Sequence, residues 1–173
     1  MSNAGDMTPA PAHEADTATF LRQLDTNLVG AHRLVIEMLA PMIDRQRGDV
    51  VLVTSQNAAT PRPNVGAYNA SKAGLESFGR TMQMELEGTG VRASIVRPGP
   101  TFTEMGWTWA PELIDLCLKD WKRWGLLRHH HYLPADSIAR AIVEVSTAPR
   151  GTHISLVEVN PEAPVREAEA DRG

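Results

Sequence analysis

The sequence is short of the features that mark several protein classes. It has one cysteine, Cys117, so no disulfide can form within the chain, as expected in a reducing cytoplasm. It has no basic stripe, and 17 Lys and Arg against 21 Asp and Glu give a formal net charge of −4. We therefore expect neither a nucleic-acid nor a membrane partner. The longest apolar runs are strand-sized and no signal peptide is evident, which favours a cytoplasmic domain.

What is present is an alternation of helix and strand patterns typical of an α/β domain. Apolar spacing predicts helices at 16–46, 67–86, 111–124 and 134–148, and β-branched runs predict strands at 49–54, 91–96 and 153–159. Strand, helix and strand in this order form a βαβ unit, which predicts a parallel sheet with right-handed crossovers. The charged C-terminus predicts a disordered tail at 166–173, after one domain at 1–165.

One cluster of residues has the chemistry of a proton-transfer site. Tyr68 and Lys72 are four residues apart and share one face of the predicted second helix. A nearby ammonium should lower the pKa of the phenol and make it a usable proton donor and acceptor. Alone, such a pair is usually a solvated helix face. Support comes from Ser55, which ends a buried strand, and from Asn27, a polar amide in the middle of the first helix.

These residues resemble the catalytic tetrad of the short-chain dehydrogenase/reductase family. Ser55, Tyr68 and Lys72 are similar to the family's triad, and Asn27 is similar to the fourth member. The resemblance implies an oxidoreductase that moves a hydride between a nicotinamide cofactor and an alcohol or ketone. Tyr68 would exchange a proton with the substrate oxygen, while Ser55 hydrogen-bonds that oxygen. Lys72 would lower the pKa of Tyr68 and hold the nicotinamide ribose, and Asn27 would steady a water that links Lys72 to solvent.

Two further motifs support this resemblance. Asn3-Ala4-Gly5 is similar to the end of the family's Asn-Asn-Ala-Gly motif, with Ser2 in place of the first Asn. Pro98-Gly99 and Thr103 are similar to its Pro-Gly-x-x-x-Thr element, which contacts the nicotinamide half of the cofactor. The resemblance covers residues 3–165 and implies the C-terminal part of a Rossmann-like doubly wound parallel sheet with flanking helices.

The resemblance also implies which residues contact the ligands. For the cofactor, NAD or NADP, they are Asn3, Ala4, Gly5, Tyr68, Lys72, Pro98, Gly99, Thr101 and Thr103. The segment after Pro-Gly is the substrate lid in this family, so Trp107 and Trp109 are candidates for the substrate pocket. Asn57 and Gly66 are candidates by their position beside Ser55 and Tyr68.

One family feature is absent from the sequence: no glycine-rich turn precedes Asn27. In the family, that turn and the helix after it bind the pyrophosphate. Two explanations are possible. The first, which we favour, is a truncated gene or a start codon placed too late. The second is a genuine short protein that has lost catalysis. Under the second hypothesis the chain is a remnant or interaction module of the same fold. In either case the chain alone should bind the cofactor very weakly.

Three other features carry weaker expectations. His129-His130-His131 is interpreted as a surface turn and not a metal site, because consecutive residues cannot all face one ion. Cys117 is expected to be inert packing on the lid. The resemblance implies a homodimer or homotetramer. Apolar residues of the second helix are candidates for that interface, unless they all face the chain's own sheet: Leu75, Phe78, Met82 and Leu86.

Overall fold

The first third of the chain is dominated by one long helical segment. The computed structural model describes residues 1–165; the predicted tail at 166–173 lies outside the described residues. Helix α1 is Thr17–Leu24, a π-helical turn follows at Asp25–Val29, and α2 is Gly30–Asp44. Asp16 caps α1, because its Oδ1 accepts a hydrogen bond from the Thr19 N–H at 2.8 Å. The predicted helix is confirmed, and the π turn within it was not predicted.

The strands form a three-stranded parallel sheet in the order β1-β2-β3. Strand β1 is Gly48–Val53, β2 is Val91–Pro98 and β3 is Leu156–Val159. The predicted parallel sheet is confirmed. Strand β3 begins at residue 156 and not at 153 as predicted. The imidazole Nε2 of His153 instead lies 2.8 Å from the carbonyl oxygen of Ala93.

Helices cover both faces of this sheet, as the resemblance implied. The remaining helices are α3 at Gly66–Glu85, α4 at Pro111–Arg123 and α5 at Ala135–Thr147. One core cluster joins α2 and α3 to the sheet through residues such as Val35, Leu75 and Leu52. A second cluster on the other face joins α5 to the sheet through Ile138 and Val145. Each face therefore buries its apolar side chains against helices, the arrangement of a doubly wound fold.

The apolar side chains of α3 do not provide the spare surface that we considered for an interface. Leu75, Met82 and Leu86 are at most 6% exposed and belong to the chain's own core. Phe78 is half-buried against the same core. The alternative, that these residues face the sheet, is therefore correct. Exposed large apolar side chains lie instead on α1 and α2, at Leu21, Leu34, Ile36, Met38 and Ile43. On α3, Met84 is also exposed.

The free side of β1 pairs with the beginning of the chain. The Ser2 N–H donates to the Val51 carbonyl oxygen at 2.9 Å, and the Val53 N–H donates to the Ser2 carbonyl oxygen at 3.0 Å. This bridge places residues 3–5 beside the carboxyl end of β1. Within residues 1–165, no helix is both long enough and apolar enough to cross a membrane.

Candidate active site

A cavity of about 860 Å³ opens at the carboxyl ends of β1 and β2. In parallel α/β sheets this edge is where ligands bind. Most of the predicted site residues line this cavity: Asn3, Gly5, Ser55, Asn57, Tyr68, Lys72, Pro98, Gly99, Thr101, Thr103, Trp107 and Trp109. Three predicted residues do not line it: Asn27, which is buried behind the cavity wall, Gly66 and Ala4. Gly66 is exposed at the start of α3, with open space around its Cα, and Ala4 is exposed between two lining residues.

Ser55 and Tyr68 bring two hydroxyl groups to this cavity. Ser55 follows β1 directly, and its Oγ accepts a hydrogen bond from the Asn57 N–H at 3.1 Å. Tyr68 lies in the first turn of α3 and is 8% exposed. Burial raises the pKa of Tyr68 above its ordinary value, while the Ser55 hydroxyl and the positive charge of Arg62 act in the opposite direction. The phenol is therefore a neutral hydrogen-bond donor at neutral pH.

Lys72 is buried one helical turn further along α3. Its ammonium is 5.8 Å from the centroid of the Tyr68 ring and donates to the Val53 carbonyl oxygen at 3.0 Å. Burial lowers the pKa of Lys72 to about 8, because the charged form loses hydration. The expectation of a lowered pKa for Tyr68 is contradicted, because burial outweighs the charges near the phenol and raises the pKa. The ammonium is held at the end of β1, and the positive charge of Arg62 also acts on the phenol.

Asn27 lies in the π-helical turn and is 1% exposed. Its Oδ1 accepts from the Asp6 N–H at 2.7 Å, and its Nδ2 donates to the Asp6 carbonyl oxygen at 2.8 Å. Nδ2 also donates to the Ser71 hydroxyl at 2.9 Å. Asn27 therefore ties the N-terminal segment to α3 behind the cavity wall. Its contact on α3 is Ser71, the residue that precedes Lys72. These contacts explain why a polar amide is retained inside a helix.

Gly5 lies beside the buried lysine. A Cβ at this position would lie 3.8 Å from Lys72 Nζ, 3.8 Å from Asn27 Oδ1 and 3.6 Å from the Met105 methyl group. On the far side of the cavity, the Gly99 N–H donates to the Val159 carbonyl oxygen at 2.7 Å. A side chain at Gly99 would collide with Asn160. Both glycines therefore let the backbone approach the cavity closely.

The segment after β2 closes one side of the cavity with aromatic side chains. The indole N–H of Trp109 donates to the Met7 carbonyl oxygen at 3.0 Å, and that of Trp121 donates to the Pro63 carbonyl oxygen at 2.9 Å. Trp107 also lines the cavity, but it is 65% exposed. Cys117 on α4 is buried, and burial raises the pKa of its thiol to about 11, which fits its interpretation as inert packing.

Several residues of this site were not predicted from the sequence. Arg62, Gln56, Trp121 and Tyr132 line the same cavity. Asn69, next to Tyr68, holds the loop before α3, because its Nδ2 donates to the Arg62 carbonyl oxygen at 2.8 Å. One signal was available: Arg62 is the only charged residue between Ser55 and Lys72, and it lies between two prolines.

The histidine run lies between α4 and α5. The rings of His129 and His131 are 5.8 Å apart and nearly perpendicular. Across residues 1–165, no group of three His, Cys, Asp or Glu side chains has the spacing of a metal site.

The chain matches known proteins over most of its length. The family model for short chain dehydrogenase matches residues 1–113. An uncharacterized oxidoreductase of Escherichia coli, YbbO, is 33% identical over 102 residues, which are 59% of this chain and 38% of that protein. Sulfoacetaldehyde reductase 2 of Chromohalobacter salexigens is 31% identical over 163 residues, which are 93% of this chain and 62% of that protein. The chain thus spans from about two fifths to three fifths of the length of these relatives.

Solved structures show the same fold. An oxidoreductase of the short chain dehydrogenase/reductase family from Burkholderia thailandensis superposes with a TM-score of 0.72 at 27% identity, covering 92% of this chain and 61% of that one. A gluconate 5-dehydrogenase from Burkholderia cenocepacia, solved with NADP and tartrate, superposes with a TM-score of 0.77 at 20% identity and the same coverage. From the family match, the shared fold and the cavity between Ser55, Tyr68 and Lys72, we conclude that this chain belongs to the short-chain dehydrogenase/reductase family.

Proposed function

We propose that this chain carries the catalytic half of an NAD(P)-dependent oxidoreductase that interconverts an alcohol and a ketone or aldehyde. The observation that carries this proposal is the convergence of Ser55, Tyr68 and Lys72 on one cavity at the carboxyl end of a parallel sheet. Two hydroxyl groups and a buried ammonium suit proton exchange with a carbonyl oxygen. The family relationship agrees with this chemistry.

The residues present fit the nicotinamide end of the cofactor. Gly5 lines the cavity beside Lys72, which can donate to ribose hydroxyls, and the backbone at Pro98 and Gly99 borders the same cavity. Thr101 and Thr103 add hydroxyl groups on that side. When bound, the nicotinamide ring supplies or accepts the hydride, and so carries the two electrons of the reaction. The sequence has no glycine-rich turn for the pyrophosphate, so the residues of this chain hold only one end of the cofactor.

The side chains then handle the proton and the substrate oxygen. In reduction, the Tyr68 hydroxyl donates its proton to the oxygen of the carbonyl group whose carbon receives the hydride. In oxidation, Tyr68 accepts that proton back from the alcohol. Ser55 donates a hydrogen bond to the same oxygen and fixes its position. Lys72 stays at the end of β1, where its ammonium is 5.8 Å from the Tyr68 ring and adds to the positive charge that favours proton loss from the phenol. Asn27 orders a water behind it.

A non-catalytic role is the second candidate. It is favoured by one observation: the sequence lacks the glycine-rich turn that supplies most of the family's cofactor contacts. In that case the chain would be a remnant or interaction module that keeps the fold without turnover. The two candidates differ in whether the cavity supports hydride transfer once a cofactor loop is supplied.

A chimera distinguishes these candidates. The N-terminal part of a family member that carries the glycine-rich turn is fused before this chain. Oxidation of NADH and NADPH is then followed with a panel of aldehydes and ketones. We expect turnover by the chimera, and a loss of about 10²- to 10⁴-fold in Tyr68→Phe, which removes only the hydroxyl. Tyr132→Phe is the matched control, because Tyr132 is the only other tyrosine and lies in the same cavity, and its loss should be far smaller. If Tyr68→Phe keeps more than about a tenth of the rate, Tyr68 is not the general acid.

A further inference from the structure

The cavity that holds Tyr68 and Ser55 has an unbalanced charge. Its lining residues include two cations, Lys72 and Arg62, and no aspartate or glutamate. Lys72 already donates to the Val53 carbonyl oxygen. In the proposed function its remaining donors serve the ribose of the cofactor, so Arg62 is the cation that is left for the substrate.

Other half-buried arginines of this chain are neutralised by carboxylates. Arg92 pairs with Asp49 at 2.6 Å, and Arg97 pairs with Glu158 at 2.7 Å as well as with Glu76. Within residues 1–165, no carboxylate lies within ion-pair distance of Arg62. Because an unpaired charge away from water is costly, a half-buried guanidinium without a counter-ion indicates that a ligand supplies one.

The guanidinium is held in place by neutral groups. Its Nη2 donates to the Gln56 side-chain oxygen at 3.0 Å, and its central carbon is 5.1 Å from the centroid of the Trp121 ring. A guanidinium has five N–H donors, so this arrangement leaves donors for a second acceptor. Stacking on an indole fixes the plane of the group without neutralising its charge.

The loop that carries Arg62 is also fixed relative to the reacting centre. The Asn69 side chain pairs with the Arg62 backbone in both directions: Oδ1 accepts from its N–H at 3.4 Å, and Nδ2 donates to its carbonyl oxygen at 2.8 Å. Asn57 Nδ2 donates to the same Asn69 oxygen at 2.9 Å. Asn69 directly follows Tyr68 in α3. The phenol and the guanidinium are therefore held by the same residues on one wall of the cavity.

We propose that Arg62 binds an oxyanion on the substrate, so that the substrate is a small hydroxy or oxo compound carrying a carboxylate or sulfonate. Its reacting oxygen lies at Tyr68 and Ser55, so this inference rests on the proposed function. Carboxylate and sulfonate oxygens match the fork of N–H groups on a guanidinium. Trp109 and Trp121 line the same cavity and provide apolar contacts for the carbon chain of such a substrate.

Binding to the 173-residue chain tests this proposal without turnover. Glycolate, lactate and isethionate are titrated against glycolamide and lactamide, neutral analogues of the two carboxylates, by tryptophan fluorescence and calorimetry. The acids should bind about tenfold to hundredfold more tightly than the amides, the range expected of a hydrogen bond to a charged group. Arg62→Met should abolish this preference, and Arg62→Lys should restore part of it. Arg33→Met is the matched control, because it removes an equal charge from an exposed pair with Asp25 on the helix surface.

Three results would overturn the proposal: no binding of any acid, equal binding of acids and amides, or an acid preference that survives in Arg62→Met. In the chimera, loss of NADH or NADPH affinity in Arg62→Met, with acid binding intact, would also overturn it and assign the arginine to the cofactor. In the chimera, Arg62→Met should raise KM for acids far more than it lowers kcat. An acid preference in a chimera without hydride transfer would refute the proposed function and leave this inference standing.

Discussion

Replacing Lys72 with methionine should stabilise the chain while removing a functional group. Burial lowers the pKa of Lys72 from 10.5 to about 8, because the folded protein disfavours the ammonium. At about 1.4 kcal/mol per pKa unit, this difference corresponds to about 3 kcal/mol of destabilisation at pH 7. Methionine fills a similar volume without a charge. The substitution removes the hydrogen bond from Lys72 to the Val53 carbonyl oxygen, which costs about 1 kcal/mol. We therefore expect the free energy of unfolding to rise by about 2 kcal/mol.

The pH dependence of stability distinguishes this reasoning from a simple packing effect. The cost of Lys72 is fully present below the folded pKa of about 8 and disappears as the pH rises towards the unfolded value of 10.5. Between these values the unfolded chain binds the extra proton, so wild-type stability rises with pH. By about pH 9.5 roughly 2 kcal/mol of the advantage of Lys72→Met should be gone.

Urea unfolding followed by tryptophan fluorescence measures both effects. Wild type, Lys72→Met and Lys119→Met are compared at pH 7 and about pH 9.5. Lys119 is exposed on α4 and should show no change in this comparison. A Lys72→Met protein that is less stable than wild type at pH 7, or whose advantage does not depend on pH, would refute the reasoning.

The remaining predictions concern the cofactor, assembly and the cysteine. Calorimetric titration of the 173-residue chain should show very weak binding of NAD(H) and NADP(H), because the sequence has no glycine-rich turn, and micromolar affinity would contradict this. In a chain restored to full length, light scattering should report a dimer or tetramer, and Leu34→Glu, at an exposed apolar position of α2, should favour the monomer. A full-length wild-type monomer at high micromolar concentration would reject this prediction. Cys117 should resist iodoacetamide at pH 8 until urea unfolds the chain, because burial raises the pKa of its thiol to about 11. Rapid labelling of the folded chain would refute this.

The elements of the fold could be predicted because their signals are local. The β-branched run before Ser55 predicts a strand, and Gly88 predicts the end of the second helix. Each signal comes from a few neighbouring residues. The spacing of Tyr68 and Lys72 predicts a shared helix face for the same reason. The shorter β3 could not be predicted, because the residues before it are held by contacts such as that of His153 with Ala93, 60 residues earlier in the chain.

The site was predicted less completely, since its electrostatics depend on distant parts of the chain. Asn27 drew attention as a polar residue in a helix, but its partners Asp6 and Ser71 are 21 and 44 residues away. The lone charge of Arg62 between two prolines was a signal, but local sequence does not reveal that its side chain joins Tyr68 at the cavity. The direction of the Tyr68 pKa was wrong because burial, which the sequence does not reveal, outweighs the nearby charges.

The π-helical turn at Asp25–Val29 acts as a one-residue insertion within an otherwise regular helix. One extra residue advances the helix by about 100°, so α1 and α2 present their apolar sides with different phases. Deleting Thr26 should therefore restore a continuous α-helix at little cost to helix formation. The deletion would rotate Asn27 out of reach of Asp6 and Ser71, or rotate all of α2 relative to the sheet. The number of residues between α1 and α2 is therefore constrained by the site. We expect the fold to tolerate a substitution at Thr26 but not its deletion.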